Sequence, residues 1–120
     1  MMELDTTISA LAALAQETRL KAFRALMAAG AEGLPAGHIA EEVGVPPNFL
    51  TSHLSILVKS GLVTVQRDGR RMIYRAEIEA VRDLMSSLVE TCCYGHPEVC
   101  QTLAPLSQLA ELAVSPQQDG

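Results

Sequence analysis

The chain has 120 residues, which suits one domain, and its hydrophobic fraction of 48% is sufficient to form a core. No apolar run is long enough to span a membrane, and acidic Glu3 and Asp5 stand where a signal peptide carries positive charge. We therefore expect a cytoplasmic protein, in which cysteines are thiols, metal ligands or sensors rather than structural disulfides. The formal net charge of −5 is unfavourable for binding DNA, but the distribution of charge matters more than its total.

Helical periodicity predicts three helices in the first part of the chain, over Thr6–Ala15, Thr18–Ala29 and Pro35–Val43, with a loop over Gly30–Leu34. The basic residues of the second helix, Arg19, Lys21 and Arg24, are more typical of a solvated face than of phosphate contacts. In the first helix, Ile8, Leu11 and Leu14 lie on one face. In the second helix, Leu20, Phe23 and Met27 are predicted to point inward. In the third helix, Ile39 and Val43 are predicted to point inward.

A fourth helix, predicted over Pro47–Ser60, has the pattern of a DNA recognition helix. The tandem prolines Pro46 and Pro47 end any preceding helix, and a proline is well tolerated at the first helical position. One face is apolar, and the opposite face carries short hydrogen-bonding side chains that can approach base edges and phosphates closely. The apolar face comprises Leu50, Leu54, Leu57 and Val58, and the polar face Asn48, Thr51, Ser52, Ser55 and Lys59.

A two-stranded hairpin is predicted directly after this helix, with strands over Leu62–Gln66 and Arg71–Arg75 joined by a tight turn at Asp68-Gly69. In that register Val65 faces Met72 and Val63 faces Tyr74. The tip carries Arg67, Arg70 and Arg71, and the segment 48–75 has five basic residues against one acidic residue, a local charge of +4. A basic hairpin after a recognition helix is typical of the wing of a winged helix-turn-helix.

Two apolar helices are predicted in the last part of the chain, over Glu77–Cys93 and Pro105–Ala113, separated by a loop over 96–103 and followed by a polar tail over 114–120. Their apolar surface exceeds what the core of one small domain needs. We therefore expect these helices to pack, together with the first helix, against a second copy of the chain. The stripe of the fifth helix comprises Ile78, Val81, Met85, Leu88 and Cys92, and that of the last helix Leu106, Leu109 and Leu112.

All three cysteines, Cys92, Cys93 and Cys100, lie in one short segment, which indicates a shared function. Their spacing differs from the paired pattern of structural zinc sites, and His96 is the only nearby fourth donor. Three thiolates suit a pyramidal centre such as trivalent arsenic or antimony. A zinc or cadmium site and a thiol-oxidation sensor remain alternatives. A small thiol enzyme with a Cys–His pair is a weaker one, because no oxyanion-hole motif is evident.

These features together resemble the ArsR/SmtB-type winged helix-turn-helix repressors of bacteria, over residues 8 to 90. The segments that carry the resemblance are Ala15-Gln16-Glu17-Thr18-Arg19-Leu20, Ile39-Ala40, Leu50-Thr51-Ser52-His53-Leu54, Leu57, Ser60-Gly61-Leu62-Val63, Arg67-Asp68-Gly69-Arg70 and Tyr74.

The resemblance implies a homodimer, formed by the first and last helices, that represses metal-resistance genes and releases operator DNA when its inducer binds. The third helix lacks the cysteines that bind arsenic in some members, and the fifth lacks the Asp/His zinc pattern of others. Cys92, Cys93 and Cys100 look like the arsenic-binding cysteines that further members carry after the fifth helix. His53 matches a family position, but helical spacing puts it beside the apolar face, which indicates a structural hydrogen bond.

The combined prediction is a mainly α-helical winged helix-turn-helix protein, a single domain over 1–120 that ends in a metalloid-binding segment, 92–100. It is not an enzyme and does not enter a membrane. It represses transcription as a homodimer on double-stranded operator DNA, and arsenite or antimonite is the inducer. Bases are read by Asn48, Thr51 and Ser52, and phosphates are held by Ser55, Lys59, Arg67, Arg70 and Arg71.

Overall fold

The computed structural model describes residues 3–93, with side chains through residue 89. The predicted loop over 96–103, the last helix and the tail lie outside these residues. The elements in chain order are α1 (Leu4–Leu14), α2 (Glu17–Ala29), a 3-10 turn (Gly30–Glu32), β1 (Leu34–Pro35), α3 (Ala36–Val43), α4 (Pro47–Lys59), β2 (Val63–Asp68), β3 (Arg71–Ala76) and α5 (Ile78–Cys93).

The chain divides into two compact units, Met1–Leu84 and Met85–Gly120. The first unit contains every element from α1 to β3 and the beginning of α5. Its core is aliphatic except for Phe23 and is built where α2, α3 and α4 pack together beside the sheet. The fully buried large side chains are Leu26, Ile39, Leu50, Leu54, Leu57, Leu62 and Val63.

The β structure is a three-stranded antiparallel sheet in the order β1-β3-β2, which adds one strand to the predicted hairpin. The residues Leu34 and Pro35, predicted as loop and helix start, pair with Tyr74 and Ile73 of β3. Gly33 makes this approach possible, because a Cβ there would collide with the backbone oxygen of Tyr74. The added strand covers one edge of the hairpin and fixes its base against the helices.

The predicted turn is wrong by one position, which shifts the pairing of the two strands by two residues. The turn residues are Gly69 and Arg70, flanked by the pair Asp68–Arg71, so that Val63 faces Ala76 and Val65 faces Tyr74. Gly69 has φ 66°, and among the described residues only glycines have a positive φ. Glycine at the first central position, followed by a residue with negative φ, is typical of a type II′ turn, which matches the twist of a hairpin.

The predicted inward face of α4 is confirmed for its three leucines, while Val58 is half-buried, and the inward face of α2 is corrected. Leu50, Leu54 and Leu57 have no exposed surface. In α2 the buried residues are Ala22, Phe23 and Leu26, whereas Leu20 and Met27 are about two-fifths exposed, at 40% and 39%. The buried side of α2 is thus rotated from the predicted one, with Ala22 and Leu26 in place of Leu20 and Met27.

Candidate nucleic-acid interface

The helix α4 is fixed at its core-facing side and open at the other. Its three leucines are buried, and α4 packs against α2 and α3. All five residues of its predicted polar face, Asn48, Thr51, Ser52, Ser55 and Lys59, are exposed. The five residues that were predicted to form the polar face of α4 therefore lie together on one solvent-facing surface.

The hydroxyl of Thr51 has a defined hydrogen-bonding role on this surface. It donates to the backbone carbonyl of Pro47 at 3.2 Å, one turn earlier in α4. Its proton is used within the helix, so its free lone pairs face solvent as acceptors. A hydroxyl in this state can accept a hydrogen bond from an exocyclic amino group of adenine or cytosine without losing its internal bond.

The N-terminus of α4 is open and carries no negative charge. Pro46 occupies the cap position without a side-chain hydrogen bond, and the first turn contains no acidic residue. The amides of Phe49 and Leu50 both donate to the carbonyl of Pro46, at 3.0 and 3.3 Å. The positive end of the helix dipole therefore faces solvent, as expected for a helix end that approaches a polyanion.

Arg19 links α4 to the helices that support it. Its Nε donates to the carbonyl of Ala13 at 2.7 Å, its Nη1 lies 3.2 Å from Nδ1 of His53, and its amide donates to the side chain of Gln16 at 2.9 Å. Arg19, near the start of α2, thus joins the end of α1 to the middle of α4 through its guanidinium. The predicted structural hydrogen bond of His53 is confirmed, whereas the prediction that Arg19 is solvated is wrong.

The hairpin carries its positive charge at the tip. Arg67, Arg70 and Arg71 are all exposed. Arg75 is not available in the same way, because its Nε donates to the carbonyl of Ala31 at 2.7 Å and its Nη1 to Oε1 of Gln66 at 3.0 Å. The segment 48–75 keeps its charge of +4, because the hydrogen-bond partners of Arg75 are neutral, and four of its five cations are exposed.

One exposed residue of this surface was not predicted. Phe49, the third residue of α4, is 62% exposed, while the other phenylalanine, Phe23, is buried at 9%. The sequence contained a signal for it, since Phe49 is apolar but lies off the Leu50–Leu54–Leu57 stripe. An apolar residue next to a buried stripe is easily counted as part of the core.

The cysteines lie at and beyond the end of the described chain. Cys92 and Cys93 are the last two residues of α5, and Cys100 and His96 lie outside the described residues. Within the described residues, no group of three or more His, Cys, Asp or Glu side chains is placed to hold a metal ion. In the same part of the chain, no helix is long and apolar enough to cross a membrane.

A helix-turn-helix with a core-anchored second helix, an open polar face and a basic hairpin defines a winged helix-turn-helix DNA-binding protein. A family model described as a helix-turn-helix domain matches residues 14–66. The chain is 30% identical over 67 residues to the HTH-type transcriptional regulator YgaV of Escherichia coli (strain K12), covering 56% of this chain and 68% of that protein.

Two solved structures extend the comparison. The homodimeric winged helix-turn-helix DNA-binding domain of a possible ArsR-family regulator from Mycobacterium bovis has a TM-score of 0.58 and 29% identity, over 79% of this chain and 84% of that one. The AntR antimony-specific transcriptional repressor has a TM-score of 0.55 and 27% identity, over 76% and 78% of the two chains. The chain belongs to the ArsR family of winged helix-turn-helix transcriptional regulators. Its relatives are DNA-binding regulators, which sets aside the thiol-enzyme alternative.

Proposed function

We propose that this protein is a bacterial repressor that binds operator DNA as a homodimer and releases it when arsenite or antimonite binds to Cys92, Cys93 and Cys100. The observation that carries the DNA-binding part is the exposed polar face of α4, held by three fully buried leucines and followed by an arginine-tipped hairpin. The cytoplasm, where thiols stay reduced, is the compartment in which such a regulator works.

In this proposal the two α4 helices of a dimer enter successive major grooves, about 34–36 Å apart. Asn48, Thr51 and Ser52 face the base edges. Ser55, Lys59 and the tip arginines Arg67, Arg70 and Arg71 hold phosphates, which supplies affinity that does not depend on sequence. Because the exposed cations are few and the whole chain is acidic, one subunit alone binds weakly and dimerisation is required.

The helix α1 supports dimerisation because it is apolar on two sides. Ala10 and Ala13 are buried within the chain, at 0% and 2% exposure. On the opposite side Leu4, Ile8 and Leu11 are exposed at 74%, 54% and 40%. Helical spacing places these three residues on one stripe, which a second copy would cover, as expected for a family with a homodimeric member of known structure.

The inducer is proposed from the chemistry of its donors and from a relative. Trivalent arsenic and antimony are soft, three-coordinate centres, and three thiolates satisfy them without a fourth ligand. A structural relative at 27% identity is described as antimony-specific. To cause release, the metalloid must bind the DNA-incompetent arrangement of the dimer more tightly than the competent one. The alternative in the same fold is a repressor that responds to zinc, cadmium or thiol oxidation.

Cysteine variants test this assignment. Each single change, Cys92→Ser, Cys93→Ser and Cys100→Ser, is expected to abolish release of a bound operator duplex by arsenite while leaving the affinity of the free repressor unchanged. The matched control is His96→Ala, which should keep the arsenite response but damage a zinc site that uses His96 as the fourth ligand. A full arsenite response in Cys100→Ser would contradict the three-sulfur site.

A further inference from the structure

The exposure of Phe49 calls for an explanation in a chain that is poor in aromatic residues. The chain has two phenylalanines and no tryptophan. Phe23 is buried, whereas Phe49 exposes 62% of its surface in the first turn of α4. A large apolar side chain in that position loses the free energy that burial would provide, so a contact outside the monomer is the natural way to recover it.

The position of Phe49 on α4 identifies what it would contact. Successive residues of a helix are rotated by about 100°, so Phe49 lies well away from buried Leu50 and on the exposed side with Ser52, one turn later. The hydroxyl of Ser52 points back along this side, with Oγ 3.5 Å from the carbonyl of Phe49. The phenyl ring is therefore part of the surface that the proposed function places against base edges.

The chemistry of the ring selects one feature of the major groove. The first residues of a recognition helix are those that reach base edges. A phenyl ring has no hydrogen-bond donor or acceptor, and the 5-methyl group of thymine is the only apolar group that an unmodified base pair presents there. We infer that Phe49 reads the 5-methyl group of a thymine in each operator half-site. This inference rests on the proposed function and adds a specificity-determining residue to it.

The inference is tested by removing the methyl group from the DNA. The reduced protein is first used to select its operator from random duplexes, and each thymine of one half-site is then replaced in turn by deoxyuridine, which lacks only the methyl. We expect one replacement to weaken binding about fourfold, the contribution of one buried methyl group. Phe49→Ala should bind the thymine and uracil duplexes equally. Phe49→Leu, which keeps an apolar side chain, should retain part of the difference.

Ile56→Ala is the matched control, because Ile56 is also an exposed apolar residue of α4, at 41%, but lies two turns further along. This variant should keep the full sensitivity to uracil. A wild-type protein indifferent to every uracil replacement would overturn the inference, as would equal sensitivity in Phe49→Ala. Equal weakening of both duplexes by Phe49→Ala, with the wild type indifferent to uracil, would indicate stacking on a base instead. Failure to select any duplex would overturn the proposed function itself, which separates the two outcomes.

Discussion

Arg19 and His53 are 34 positions apart in sequence, yet Nη1 of Arg19 lies 3.2 Å from Nδ1 of His53. The same guanidinium donates through Nε to the carbonyl of Ala13 at the end of α1. The contact therefore fixes α4, the proposed reading helix, to the helix that carries the proposed dimer stripe. A change in the dimer arrangement would be transmitted through Arg19 to the DNA-facing surface of α4.

This contact predicts a loss of stability for Arg19→Ala. Removing the guanidinium leaves the part-buried carbonyl and imidazole without their charged partner, which we expect to lower the free energy of unfolding by about 1–3 kcal/mol. The control is Lys21→Ala, two positions away, whose ion pair with Glu17 is exposed and contributes at most about 1 kcal/mol. Urea unfolding of the three proteins gives the comparison. Equal stability of the two variants would show that the Arg19 contacts are energetically unimportant.

The tip of the hairpin predicts a sequence-independent loss of DNA affinity. Arg70→Ala and Arg71→Ala should each weaken binding to operator and random duplexes alike, and reduce the slope of log affinity against log salt by about one. Arg75→Ala is the matched control, because Arg75 is hydrogen-bonded to Ala31 and Gln66. Arg75→Ala should reduce the thermal stability of the protein and leave the slope of log affinity against log salt unchanged. A lowered salt slope in Arg75→Ala alone would place the phosphate contact at the base of the sheet rather than at its tip.

The polar face of α4 predicts a loss of discrimination. Thr51→Ala or Ser52→Ala should lower the ratio of operator to random-duplex affinity about fivefold, which corresponds to about 1 kcal/mol for one hydrogen bond. Thr51→Ser, which keeps the hydroxyl that donates to Pro47, should retain most of the ratio. Anisotropy titrations with both duplexes at one salt concentration measure this ratio of affinities. If Ser52→Ala lowers the affinity for both duplexes by the same factor, Ser52 does not read a base.

The outer stripe of α1 predicts assembly. Leu11→Asp places a charge within the exposed apolar stripe and should shift the protein to monomer at micromolar concentration, with DNA affinity lost in parallel. Ser9→Asp adds the same charge at an exposed position of the same helix, off the stripe, and should leave the dimer intact. Sedimentation velocity distinguishes the two. A monomeric wild-type protein would contradict this part of the account.

The sequence predicted the recognition helix well because its signals are local and agree with one another. The proline pair fixed the start of α4 at Pro47, and the leucine stripe identified its buried face. The same reasoning failed in the hairpin because Asp68-Gly69 and Gly69-Arg70 are both good turn sequences. The pairing of Asp68 with Arg71, which puts Gly69 at the first central position, distinguishes them.

The remaining differences come from contacts between residues distant in sequence. A two-residue strand that contains a proline has too little periodicity to be recognised, and β1 exists because β3 is beside it. Arg19 looks like an ordinary solvated cation on α2 until the end of α1 and His53 are placed around it. Phe49 lies off the predicted leucine stripe, but the structure was needed to show that 62% of its surface is exposed. The DNA and metalloid roles of the predicted site residues stay predictions.

The central claim, a DNA-binding repressor induced by a three-coordinate metalloid, is tested most directly by titrating the reduced protein on its selected operator with arsenite, antimonite, zinc and cadmium at several pH values. Exchange of the three hydroxyls of arsenous acid for three thiols releases water and no net protons, whereas zinc requires thiolates and must displace protons. We therefore predict release by arsenite and antimonite with little dependence on pH, and weaker, more pH-dependent effects of zinc and cadmium. Release by zinc with no response to arsenite at any pH would contradict the inducer assignment.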